Sequence, residues 1–84
     1  MLVIVNLSSK NTLPISVLQD VDSALETVGL KKQVRSTLVP GKEFSITYEG
    51  ANATKDGLTN MLGPIAQENG FVFTVDVEES VSFP

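Results

Sequence analysis

The chain has 84 residues, six Lys and Arg against ten Asp and Glu, a formal net charge of −4, and no His, Cys or Trp. That length makes one small domain, able to bury only roughly 60–65% of the surface its unfolded chain exposes. With 42% apolar and 19% charged residues it has the composition of a folded domain, not of a disordered tail. The absent residue types exclude an imidazole base, a thiolate nucleophile, a disulfide framework and the usual tetrahedral zinc site.

The only arginine is Arg35, whereas a sequence-independent grip on a phosphate backbone normally needs several clustered cations, so nucleic acid is disfavoured. No segment approaches the ~20 apolar residues of a membrane span. The opening run Leu2 to Val5 is too short for a signal-peptide core. The expectation is a cytoplasmic protein with no membrane attachment.

Leu2 to Leu7 is a β-branched run, apolar on both alternating faces, as a central strand reads. From Pro14, a residue favoured in a first helical turn, apolar positions recur at Ile15, Leu18, Val21, Leu25 and Val28, and Gly29 is placed to cap the helix. Gln19, Asp22, Ser23 and Glu26 fall largely on its outer side. After Lys31 and Lys32, residues 33–39 have strand composition, and Pro40-Gly41 supplies the fixed and the positive φ of a type II turn. The second hairpin arm alternates Phe44, Ile46 and Tyr48 against Glu43, Ser45, Thr47 and Glu49.

Residues 50–53 read as a loop and Thr54 as an N-cap; Leu58, Met61, Leu62, Ile65 and Ala66 form a second helical stripe closed by Asn69-Gly70. Pro64 sits inside that stripe, where a proline costs about 3 kcal/mol, so the helix either kinks or divides there. The last strand places Phe71, Phe73, Val75 and Val77 on one face and Val72, Thr74, Asp76 and Glu78 on the other. The resulting β-α-β-β-α-β order predicts a single ferredoxin-like α+β sandwich over residues 1–84, a four-stranded antiparallel sheet with both helices on one face.

Fold alone does not give function, so each use of this topology must be tested on residues. An RNA-recognition module stacks bases on aromatics of the open sheet face, but Phe44, Tyr48, Phe71 and Phe73 fall on the core side. A metal carrier of this topology needs paired Cys, and an acylphosphatase-like enzyme needs a phosphate-cradling loop with Arg where Leu7 to Asn11 offers only Lys10. Carboxylates are the remaining catalytic candidates. Asp20 and Asp22 point to different helix faces, and Glu78 and Glu79 point apart on a strand. No catalytic pair, metal site or cofactor is expected. Lys10 with Ser8 and Ser9 could hold an anion, although a polar capping loop explains them as well.

Three segments carry a family resemblance: Asp22 to Glu26 with Gly29-Leu30-Lys31-Lys32, Leu38 to Phe44, and Glu68 to Glu78. Together they resemble the GhoS-type antitoxins and their uncharacterised small relatives. The resemblance implies a Cas2-like dimer that binds or cleaves a toxin's messenger RNA. This chain departs from that family in having a single Arg and no clear catalytic pair.

The residues themselves favour a non-catalytic, acidic protein-binding or regulatory module, such as an inhibitor or accessory protein of a bacteriophage or mobile element. Its partner surface is expected at Glu43, Glu49, Asp76 and Glu78, converging on the open sheet face. Any nucleic-acid contact would use Lys31, Lys32 and Arg35, gathered near the end of the first helix. A homodimer is expected through the edge of the final strand or the tail, at Phe71, Phe73, Val81 and Phe83, because that strand is long, regular and unprotected by Pro or Lys.

Overall fold

The computed structural model describes residues 1–50 and 53–78. Its elements are β1 (Leu2–Ser9), α1 (Ile15–Glu26), β2 (Lys31–Val39), β3 (Glu43–Glu49), α2 (Lys55–Asn69) and β4 (Phe71–Glu78). The strands form one antiparallel sheet in the order β2-β3-β1-β4. This is the ferredoxin-like arrangement, with β1 central and β2 and β4 at the edges. Val81 and Phe83 lie outside the described residues, as do Ala51 and Asn52.

One face of the sheet makes the core. Val3, Val5 and Leu7 of β1 stand opposite Tyr48, Ile46 and Phe44 of β3 and Val77, Val75 and Phe73 of β4. These positions join one apolar cluster with Val17, Leu18, Val21 and Leu25 of α1 and Leu58, Leu62 and Ala66 of α2, so both helices pack on that face. Each fully buried Leu or Ile there contributes about 1.5–3 kcal/mol. The buried stripe of α1 includes Val17, whereas Ile15 is exposed and Pro14 stands just before the helix in extended conformation. Ile15 therefore begins the helix without anchoring it.

The turns follow local chemistry. Gly41 has φ 72° and the Lys42 N–H donates to the Val39 carbonyl at 3.0 Å, closing the Pro40-Gly41 turn. The Thr54 hydroxyl accepts from the Gly57 N–H at 3.1 Å, and Gly70, at φ 72°, ends α2 by donating to the Ala66 carbonyl at 2.8 Å. α2 runs unbroken from Lys55 to Asn69 through Pro64. Pro64 and Asn60, whose carbonyl the proline leaves without its helical donor, are both exposed, so the missing N–H falls on the solvent side of the helix.

β2 begins at Lys31, two residues earlier than its composition predicts. It carries two irregularities in its pairing with β3, between Lys32 and Val34 and between Thr37 and Val39. Each adds one residue and reverses the inward and outward order. Lys32, Arg35 and Thr37 consequently align with Tyr48, Ile46 and Phe44 on the helix side, while Lys31, Val34, Ser36 and Val39 align with the open face.

Candidate functional site

The open face is built as four rows across the sheet, fixed by the strand register. The first row is Lys31, Glu49, Leu2 and Glu78; the second is Val34, Thr47, Ile4 and Asp76. The third is Ser36, Ser45, Asn6 and Thr74, and the fourth is Val39, Glu43, Ser8 and Val72. No helix covers this face among the described residues.

The four acidic residues expected to converge do so only in part. Glu49 and Glu78 flank Leu2, and Asp76 lies one row away beside Ile4. Glu43 stands at the opposite end, six residues along β1, or about 20 Å at ~3.3 Å per residue. Its carboxylate there accepts from the Ser8 hydroxyl at 3.4 Å. Because β1 lies between β3 and β4, Glu49 and Glu78 are two strand spacings apart, roughly 10 Å. That separation suits a rim of charge better than a shared ion, and among the described residues no three carboxylates cluster closely enough to hold a metal.

What the acids surround is apolar. β1 is hydrophobic on both faces, and its outer positions, Leu2 and Ile4, are not covered by the helices. Leu2 is 38% exposed, and Val34, carried to this face by the first bulge, is 54% exposed. The double-sided hydrophobicity of Leu2 to Leu7 was the available sequence signal. It marked a central strand, and the expected open face was read for its acids and not for Leu2 and Ile4.

The cations do not form one cluster. Lys31 lies on the open face in the row of Glu49, while Lys32 and Arg35 lie on the helix side. Lys32 Nζ is 3.3 Å from Asp22 Oδ2. Asp22, read from periodicity as an outer position, is half-buried because its other oxygen accepts a 2.6 Å hydrogen bond from the Tyr48 hydroxyl. Tyr48 is fully buried. Burial first, then the hydrogen bond and the negative charge of Asp22, push its phenol well above the ordinary tyrosine range, while the positive charge of Arg35 pulls the other way. The group ties α1 to the sheet.

Of the aromatics, Phe71 is buried and Phe73 half-buried, both on the helix side, with ring centroids 6.5 Å apart in an edge-on arrangement. The Phe71 ring belongs to the core, so only its backbone reaches the sheet edge. At the end of β1, the Ser9 hydroxyl accepts from the Asn11 N–H at 3.2 Å, a local turn, and α1 starts after Pro14 with no side-chain cap. No helix among the described residues is long and apolar enough to cross a membrane. No protein-family model matches the chain, and no curated protein matches it.

Proposed function

We propose that this chain is a non-catalytic protein-binding or regulatory module, working through the open sheet face at the Leu2 end. The observation that carries the reading is the pair Leu2 and Ile4, uncovered by the helices and flanked by Glu49, Glu78 and Asp76, with Val34 beyond Thr47 in the row of Ile4 and Lys31 beside Glu49. An apolar centre within a charged rim is the anatomy of a protein interface. The matching partner is a protein that offers an apolar side chain within a ring of Lys or Arg. Small size and net negative charge suit an inhibitor or accessory protein of a bacteriophage or mobile element.

The test compares wild-type protein with two variants as baits: Asp76→Asn with Glu78→Gln, and Lys31, Lys32 and Arg35 each to Ala. The acidic-face change is expected to slow association with the captured partner and flatten its salt dependence, with the melting temperature unchanged, because exposed charges steer encounters more than they hold folds together. In parallel, labelled RNA is offered with and without magnesium. Binding or cleavage of RNA that is lost in the cation variant and kept in the acidic-face variant would replace this reading with an RNA-acting one.

A further inference from the structure

We propose that the outer edge of β4 pairs with β4 of a second copy of this chain, joining two four-stranded sheets into one, in a two-fold register centred on Thr74. The inference is separate from the acidic-face reading, because it rests on the backbone edge of β4 and is tested at Val72 and Thr74, although Asp76 takes part in both.

Three observations point to it. Among the described residues no strand pairs on the outer side of β4, so alternate backbone N–H and C=O groups there lack a protein partner. β4 pairs with β1 in unbroken register from Phe71 to Glu78 and contains no Pro, Lys or Arg, whereas β2, the other edge, carries two bulges and three cations. Beside the β4 edge runs a groove of about 610 Å³ between the strand and α2, lined by Lys55 and Thr59 on one side and Phe73 to Asp76 on the other. A strand added at an edge beside a helix is a recurring mode of recognition.

The occupant follows from charge and from the pleat. A two-fold antiparallel pairing keeps helix-side residues opposite helix-side residues only when it centres on a residue. Centring on Asp76 sets two aspartates directly opposite, and centring on Val75 leaves them diagonal neighbours; both arrangements repel. Centring on Phe73 shortens the overlap. The Thr74-centred register pairs 71–77 with 77–71, sets Phe73 opposite Val75 and Phe71 opposite Val77, and places every Asp76 opposite Val72. The strand is thus complementary to itself in one register.

Sedimentation of the intact chain is expected to show a reversible dimer at tens of micromolar. Thr74→Asp, which would set like charges face to face at the centre, should weaken it by roughly tenfold or more. Val72→Lys should tighten it roughly two- to tenfold by placing a cation opposite Asp76 twice. Val72 is 69% exposed and Thr74, also exposed, makes only a 3.4 Å surface contact with the Asn6 amide, so neither change should unfold the domain. Because the chain has no cysteine, oxidation of Thr74→Cys should give a covalent dimer readily and Asp76→Cys should not. A monomer at every concentration, a dimer indifferent to both charge variants, or preferential cross-linking of Asp76→Cys would overturn the proposal.

Discussion

β2 and β4 are the two outer strands of one sheet, similar in length and both rich in β-branched residues, yet they sit in different surroundings. Along β4 the exposure alternates, because α2 lies over its helix-side positions and buries Phe71 and Val75. Along β2 every residue is exposed except half-buried Arg35. Leu38 is 63% exposed on a strand in which six of nine residues are polar or charged. The contrast shows that an edge strand's environment is set by which helix reaches it. It also shows two ways of treating an edge. Bulges and cations disrupt the outer side of β2, while β4 keeps a regular ladder.

Truncations on the two strands give the largest expected difference. Phe71→Ala should destabilise the domain by about 3–5 kcal/mol, a large share of the stability of so small a protein. Leu38→Ala on β2 should change stability by no more than about 0.5 kcal/mol. Phe73→Ala, at a half-buried position, should fall between them. Denaturant titrations that returned equal losses for Phe71 and Leu38 would erase the distinction between the edges.

Next in size is the tie between β3 and α1. Tyr48→Phe should cost about 1.5–3 kcal/mol, the value of a hydrogen bond to a charged group. It should also change the response to alkali. The folded protein holds the Tyr48 proton to a higher pH than the unfolded chain, whose tyrosine loses it near pH 10. This contribution is therefore full below about pH 10 and is lost as pH rises above it. The difference between wild-type and Tyr48→Phe stability should shrink as pH is raised through that range, and a constant difference would remove Tyr48 from the alkaline response.

A smaller effect is expected from Lys32→Ala, because its contact with Asp22 is partly exposed: about 0.2–1 kcal/mol, reduced by salt. Amide hydrogen exchange sharpens the same comparison without mutation. Amides of β2 should exchange faster than those of the central strand β1, since few buried side chains resist local opening of β2. Equal protection of the two strands would mean that the β3 ladder alone holds β2 as firmly as the core holds β1.

Much of this architecture is written in short-range sequence patterns. The alternation of β3 and β4, the Pro40-Gly41 turn, the Thr54 cap and the Gly70 stop each depend on residues within a few positions of one another, and each forms as the local chemistry directs. The two-faced hydrophobicity of β1 likewise marks it as the central strand. Tertiary structure decided what depends on partners far along the chain. The inserted residue between Lys32 and Val34 in the β2 ladder put Val34 on the face of Lys31 and Arg35 on that of Lys32, an outcome composition does not reveal because a one-residue slip reverses every later side chain. Asp22 became a half-buried tie only because Tyr48 arrives from β3. The acidic residues separated into a group of three and a lone Glu43 because β1 fixes the registers of β3 and β4 against each other, and register is a property of pairing between strands rather than of any one of them.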